Sequence, residues 1–417
     1  MTATTLPPPR IATLDIVRGI AVMGILAMNI VAFAMPFQAY MNPYAYGMEG
    51  VADLVSWGVS FVFVDGKMRG LFSLLFGASM LLVIERAEAR GAPAARVHFA
   101  RMLWLLVFGL IHFYFIWFGD ILAGYAMVGM IAWLFRRLPP RKLIGWGIAF
   151  AAIELIVFLA LAAMTWLLRE SVAGGGAQEE AVRQWQQLEA DFGVPTGEVL
   201  AAKLDLFRGG YGGLVEQRLL GQPFAPFVGL VMFGWETLAY FLFGMAALKT
   251  GFLSGEWTDA RYHRVMLIGF GIGIPAYAAI GGLLLLDGFS VPGVFALVMA
   301  ATVPFRPLMI LAIAAAIILA TRRGGWLVDR IAAAGRAAFT NYLGTSILMT
   351  TLFYGYGLGL YGTLSRAELW LVVMPMWALM LAWSKPWLDR YQYGPLEWLW
   401  RSLARWQPQP MRRPLPA

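Results

Sequence analysis

Residues 13–36 read TLDIVRGIAVMGILAMNIVAFAMP, and this stretch decides the fold class. After Arg18 it carries no charge, and its apolar residues fall on every face of a helix. A helix that is apolar all round needs an apolar solvent, either a large core or lipid. About 20 apolar residues cross the hydrocarbon core of a bilayer. The run has some look of an export signal, because Arg10 precedes it and Ala32-Phe33-Ala34 resembles a cleavage site. Asp15 and Arg18 interrupt the apolar region near its start, so it reads as a first membrane helix.

The rest of the chain repeats the pattern. Of 417 residues, 60% are hydrophobic and 13% charged, where soluble domains carry about 25% charge. Further apolar runs lie at about 68–88, 101–118, 121–136, 143–168, 226–249, 262–286, 306–321, 337–358 and 367–385. With the first run they predict an all-α integral membrane protein of about ten transmembrane helices, since only helices satisfy the backbone within lipid one segment at a time. Two more apolar stretches, 51–66 and 289–305, invert the charge pattern if counted as crossings. They are read as interfacial or re-entrant segments on the outer side.

Loop charge orients the helices. Arg86, Arg90, Arg96 and Arg101 form one cluster; Arg136, Arg137, Arg141 and Lys142 form the next. Arg261 and Arg264, then Arg322, Arg323, Arg330 and Arg336, then the stretch from Lys385 to Arg413 complete the set. The net charge of +8 is therefore a topology signal, and no nucleic-acid partner is expected. Basic residues stay inside, which predicts both termini on the cytoplasmic side. The chain divides into an N-terminal transmembrane half (1–168), an outer-side polar helical loop (169–225), a C-terminal transmembrane half (226–390) and a cytoplasmic amphipathic tail (391–417). No cysteine is present, which removes thiol chemistry and Cys-ligated metals. No His/Asp/Glu spacing suits a metal.

Ionisable groups inside spanning helices are costly and point to function. Asp15, Arg18 and Asn29 share one face of the first helix, and the first two can pair across a turn. A structural ion pair is the plainer reading of them. His112 stands inside an apolar run, in Gly109-Leu-Ile-His112, with Asp120 at the outer mouth. A buried imidazole oriented by a carboxylate is a general base; a packing hydrogen bond is the bland alternative. Lys67 and Arg69 lie in an outer-side turn, level with Arg306, and together these three suit an anionic group. Glu236 in the sixth span needs a partner. Asn341 and Tyr342 add polar groups to the ninth. Glu397 and Arg401 are spaced to pair on an amphipathic C-terminal helix.

Four separated segments carry a resemblance: LDIVRGIAVMGIL (14–26), GKMRGLFSLLFG (66–77), GLIH (109–112) with GDIL (119–122), and GPLEWLWR (394–401). Together they resemble the YeiB-like family of bacterial membrane proteins, domain of unknown function 418. That family is similar to the transmembrane acyltransferases, which pass an acyl group from a donor such as acetyl-CoA across the membrane to an acceptor. The resemblance implies a bacterial cytoplasmic membrane and a catalytic membrane histidine, for which His112 is the candidate, with Asp120 expected from its position to orient it or bind the acceptor. Asp15 and Arg18 fit the acyltransferase group's Leu-Asp-x-x-Arg-Gly opening, and with the polar groups read above, Asn29, Lys67, Arg69, Glu236, Arg306, Asn341 and Tyr342, they are the expected donor- or substrate-binding residues. The resemblance implies no permanently bound cofactor, with acetyl-CoA or another acyl-CoA as co-substrate and a small-molecule or lipid-like acceptor. A cytosolic donor then needs a passage from the inner face to His112. The alternative is a transporter of a small or lipid-like solute. Aromatic-rich helices leave a homodimer open as the assembly.

Overall fold

The computed structural model describes residues 11–413, so Arg10 and the last four residues of the tail lie outside the described part. Among the described residues helices are the only regular structure apart from one isolated bridge between Tyr391 and Arg412. The longer helices are α1 (Ala12–Ala34), α2 (Val51–Phe63), α3 (Lys67–Ala89), α4 (Ala94–Ile111), α5 (Leu122–Ala132), α6 (Pro140–Ala173), α7 (Glu179–Phe192) and α8 (Gly197–Arg208). They continue with α9 (Ala225–Lys249), α10 (Asp259–Asp287), α11 (Arg306–Thr321), α12 (Trp326–Arg336), α13 (Ala338–Phe353), α14 (Trp370–Arg390) and α15 (Pro395–Arg405).

Among the described residues seven segments are long and apolar enough to cross a membrane: Ala12–Ala34, Val51–Ala89, Ala94–Ile116, Pro140–Ala173, Ala225–Lys249, Asp259–Asp287 and Trp370–Arg390. The expectation was about ten. The shortfall is one of length. Leu122–Phe135 and Arg306–Thr321 are apolar but shorter, and α13 has 16 residues. At 1.5 Å per residue a 16-residue helix reaches about 24 Å, short of a hydrocarbon core of about 30 Å.

The two stretches set aside in the sequence differ from each other. Residues 51–63 form a helix that joins α3 into one 39-residue apolar segment, broken at Gly66. There φ is +70°, a left-handed conformation that glycine adopts without the Cβ penalty. Residues 291–300 stay short, as one helical turn followed by a π-helical stretch, packed against α6.

The first helix is the centre of the bundle. Of its best apolar window 83% is buried, and it packs on α3, α12 and α13. The α3–α9 contact fixes the rest of the site. A Cβ on Gly244 would lie 1.8 Å from the Leu74 carbonyl oxygen, and one on Gly77 would lie 2.2 Å from that of Phe241. Only glycine allows two backbones so close, the usual device for packing helices in lipid. Between α6 and α9 the polar loop forms α7, α8 and two short turns over 211–221. Trp185, Leu188 and Phe192 of α7 pack on Phe158 and Phe295.

Candidate functional site

A cavity of about 460 Å³, at the end of the bundle that loop charge predicts to be the outer one, is walled by Phe61, Phe158, Phe233 and other apolar groups, and Asn29, Asp65, Arg69, Asp120, Tyr125 and Arg306 give it polar points. Its charge is set by three helices. Glu236, mid-helix in α9 and 2% exposed, takes Arg69 Nη2 on Oε2 at 2.5 Å and Arg306 Nη1 on Oε1. The Tyr240 hydroxyl donates to the same Oε1 at 2.9 Å, and Arg306 Nη2 reaches Thr302 Oγ1. Two guanidiniums thus share one carboxylate. Both arginines stand in the first turn of a helix, α3 and α11, where the helix dipole adds positive potential instead of offsetting it. The cluster by itself has a positive surplus and suits an anionic ligand group, with the carboxyls of Asp65 and Asp120 elsewhere in the cavity lining.

Lys67 does not join them. The sequence placed it in an outer turn, but it is the first residue of α3 and is wholly buried. The reversal at Gly66 turns its side chain back on α2, where Nζ donates to the Phe61 carbonyl and sits 3.2 Å from the Tyr277 ring centroid. It satisfies an open carbonyl at a helix end and lies outside the cavity lining.

His112 opens a π-helical turn, His112–Ile116, at the end of α4. Gly109 lets α5 approach, for a Cβ there would meet the Ala123 nitrogen at 2.2 Å. That approach brings Asp120 to the histidine: Nδ1 to Oδ1 is 2.9 Å, while Oδ2 accepts from Ala123 N at 2.8 Å. The carboxylate, acceptor only, fixes the ring orientation and the Nδ1–H tautomer. Nε2 is buried and has no hydrogen-bond partner. Tyr342 packs 5.3 Å from the imidazole, centroid to centroid, and its hydroxyl donates to Gly119 O and accepts from Ile121 N, both at 3.3 Å.

A π-turn leaves carbonyls free, and the outer loop takes them. Arg218 Nη1 donates to Phe113 O and Tyr114 O at 3.4 and 3.2 Å, and the Tyr211 hydroxyl donates to Phe115 O at 2.7 Å. Arg218 escaped the sequence reading because a loop arginine in a polar stretch gives no signal; its 2% exposure is a tertiary fact. Its Nη2, Trp117 Nε1 and the Tyr354 hydroxyl are buried without partners.

A second cavity of about 740 Å³ opens among the basic clusters and is lined by Asp15, Arg18, Arg86, Arg101, Arg336 and Arg401, with Tyr393 and Trp400. The expected pair forms, Arg18 Nη1 to Asp15 Oδ1 at 3.0 Å, and Arg18 Nη2 also reaches Ser79 Oγ at 2.7 Å. Arg101 stacks on Trp400 at 4.2 Å. The polar face of α1 is thereby divided, with Asp15 and Arg18 on the basic cavity and Asn29 on the outer one. Both cavities back onto the same turns. Leu122 and Phe72 face the basic one, and Ile121, Ala123 and Arg69 the outer one. His112 lines neither, although its neighbour Phe113 and its partner Asp120 line the outer one.

Two other expectations resolve into packing. Asn341 donates to Ala334 O at 3.0 Å and Ser384 Oγ at 3.3 Å and accepts from Trp383 Nε1 at 2.9 Å, a clamp between helices rather than a ligand group. Glu397 is drawn to α13: its Oε1 accepts from Phe339 N at 2.7 Å and Thr340 N at 3.1 Å, and its Oε2 from Thr340 Oγ1 at 2.6 Å. Open amides at a helix start attract a carboxylate more strongly than a spaced arginine on its own helix does. Glu154 in α6 was not singled out in the sequence, although it gives the same signal as Glu236, an ionisable group in an apolar span.

The family described as "Protein of unknown function (DUF418)" matches residues 247–407. The chain is 32% identical to the uncharacterized protein YxaH of Bacillus subtilis (strain 168), covering 97% of each. It is 32% identical to the uncharacterized protein YeiB of Escherichia coli (strain K12), over 95% of this chain and 96% of that one. It is 25% identical to an uncharacterized 39.9 kDa protein in the amylase 3'region of Bacillus acidopullulyticus, over 95% and 94%. No solved structure matches.

Proposed function

The chain belongs to the DUF418 family, and on that premise we propose that it is a membrane-embedded acyltransferase. It moves an acyl group from a CoA-type donor, entering from the cytoplasm, to an acceptor hydroxyl or amine at the outer face. One observation supports the reading: a buried histidine is oriented by Asp120, a lining residue of the outer cavity, and its Nε2 has no hydrogen-bond partner.

The basic cavity has what a phosphorylated donor needs. Arg18, Arg86, Arg101, Arg336 and Arg401 present guanidiniums that suit phosphate oxygens, and Trp400 and Tyr393 offer ring faces to an adenine. The outer cavity takes the acceptor, and Arg69 and Arg306 hold its anionic group or offset developing charge. His112 Nε2 takes the proton from the acceptor, whose oxygen or nitrogen attacks the thioester carbonyl. The carbon–sulfur bond breaks, and the thiolate leaves with the proton returned by the imidazolium. The wall at Leu122 and Phe72 must open for this, since Nε2 is sealed. The bilayer is the standing partner, the bacterial cytoplasmic membrane the setting, and a homodimer the assembly we assign.

Purified protein incubated with labelled acetyl-CoA is expected to bind it and hydrolyse it slowly without acceptor. His112→Ala is expected to keep binding and lose hydrolysis. Absence of donor binding by the wild type would sink the proposal. A second reading, transport of a small or lipid-like solute, draws support from the break at Gly66, because discontinuous helices line many transporter sites. Uptake into proteoliposomes without any acyl-CoA would favour it.

A further inference from the structure

Arg218 stands in the π-helical turn Gln217–Gly221 of the outer loop and is buried. Its Nη1 reaches the Phe113 and Tyr114 carbonyls, and its Nη2 has no partner. Two further buried donors stand beside it. The Tyr354 hydroxyl is within reach of the Arg218 charge, and the Trp117 indole faces that hydroxyl without the geometry of a hydrogen bond. Trp117 and Tyr354 share one apolar cluster with Leu214, one turn before Arg218. Phe33 stacks on Trp117 at 3.8 Å, and Phe207 meets the edge of Tyr354 at 5.1 Å. Trp117 also lines the outer cavity, which Arg218 and Tyr354 do not.

Among the described residues no carboxylate pairs with Arg218. The groups that act on its charge are the hydroxyls of Tyr354, Tyr356 and Tyr211, and burial draws the guanidinium below the ordinary arginine value. The acids of the neighbourhood are placed elsewhere. Asp205 and Glu216 are exposed, and Asp120, three residues after Trp117, is held by His112 and the Ala123 amide. Arg208 adds positive charge close by, with its Nε on the Tyr361 carbonyl at 2.9 Å and the Tyr361 ring 5.9 Å from that of Tyr354. The carbonyl end of α4 offsets about half an elementary charge. The remainder is unbalanced in a buried site, where an unpaired ion is expensive. A buried water would satisfy the donors but not the charge; an anion satisfies both.

We propose that Arg218, Trp117 and Tyr354 form a binding site for one small inorganic anion of chloride size, held by the guanidinium Nη2, the indole N–H and the phenol O–H. Three buried donors lie together with no acid among them, the pattern that suits an anion. The three donor atoms are sealed from solvent among aromatic rings, so the ligand class is a bare ion without an organic tail. The ion ties the outer loop to the π-turn, since Arg218 holds two carbonyls of that turn. The Trp117 ring lies 6.2 Å from the His112 imidazole, centroid to centroid. No step of the acyl transfer passes through the ion.

Binding of radioactive chloride to the detergent-purified chain, with gluconate as the replacement anion, tests this. The wild type is expected to bind chloride saturably, one ion per chain, and to melt at a higher temperature in chloride than in gluconate. Arg218→Gln should abolish the binding. Tyr354→Phe keeps the ring and removes one donor, and it should weaken binding by about tenfold or more, the contribution of one hydrogen bond to a charged group. A cooperative melt of Tyr354→Phe in gluconate separates lost binding from lost folding, which covers the case in which the arginine variant folds poorly. A crystal soaked in bromide should show one anomalous scatterer between Arg218 and Tyr354. Absence of saturable chloride binding by the wild type overturns the proposal. So does binding that both variants leave unchanged, or an ordered water where bromide is expected. These measurements need no acyl donor, so this proposal and the acyl-transfer reading fail on different experiments.

Discussion

His112 Nδ1 stands 2.9 Å from Asp120 Oδ1 across the turn that joins α4 to α5. The two residues are held there by separate devices: Gly109 lets the helices touch, and Tyr342 ties down the turn at Gly119 and Ile121. The geometry leaves Nε2 without a hydrogen-bond partner. Asp120→Asn keeps the shape but no longer demands a proton on Nδ1. We expect it to lower donor hydrolysis by at least about 100-fold, the range of general-base catalysis, with donor binding retained. Radiolabelled thioester turnover and binding, measured side by side, check this.

Glu236 is the carboxylate shared by buried Arg306 and half-buried Arg69. Glu236→Gln leaves both guanidiniums without a counter-charge in a low-dielectric site. Removing one partner of such a pair costs about 3–5 kcal/mol. We expect a large fall in thermal stability in detergent, and a smaller one in the double variant Glu236→Gln with Arg69→Gln. Equal stability of Glu236→Gln and wild type would show that the cluster is solvated and not buried.

Close helix packing gives a control pair. Gly244→Ala puts a methyl group 1.8 Å from the Leu74 carbonyl oxygen, whereas a Cβ at Gly229 in the same helix meets nothing within 4 Å. Overpacking of this kind costs about 1–3 kcal/mol. We expect Gly244→Ala to lower the melting temperature and to loosen the Arg69–Glu236 contact, with Gly229→Ala near wild type. Thermal unfolding of the two variants decides it.

These residues mark what could be read from the chain. Asp15 and Arg18 pair as their spacing requires, because both partners sit on one helix. His112 and Asp120 were legible as a pair because a short turn separates them. The Arg69–Glu236–Arg306 cluster was legible only in its parts: each charge inside an apolar run announces a need for a partner, but the choice of partner is made by three helices packing together. Lys67 was misplaced because a single left-handed glycine reverses the chain before it. Glu397 was assigned to Arg401, on its own helix, because helical spacing says nothing of open amides on another helix. The short helices α11 and α13 were counted as spans for different reasons: α11 matches its apolar run of 306–321 and is simply short, while α13 stops at Phe353, before its run ends at 358.

Glu397 lies outside the spanning segments, and burial pushes its carboxyl above the ordinary glutamate value, against hydrogen bonds from Thr340 and Phe339 that lower it. An acid whose folded pKa is raised disfavours the folded state increasingly as pH climbs from the unfolded value through the folded one. Its contribution is therefore most favourable at low pH and declines above the ordinary glutamate range. Glu397→Gln should remove that decline and flatten stability against pH in the acid range. It should also cost about 1 kcal/mol through the weakened cap on α13. Melting temperatures of both proteins across that range provide the check, and parallel curves would refute the assignment.

The outer loop holds the histidine turn through Arg218, whose Nη1 bonds the Phe113 and Tyr114 carbonyls, with Tyr211 on Phe115 O. A π-turn at a functional site is held only where its released carbonyls find donors. Arg218→Ala removes two of those contacts and leaves two buried acceptors unpaired, at about 1–3 kcal/mol each. We expect the turn to relax toward an ordinary helix end and His112 to lose its register with Asp120. Hydrogen exchange should then rise in residues 112–118 while remaining unchanged in α1, and donor hydrolysis should fall with donor binding intact. Adding Tyr211→Phe should deepen both effects. Unchanged exchange at 112–118 in Arg218→Ala would show that α4 and α5 alone hold His112 in place, and that the outer loop has no part in setting it.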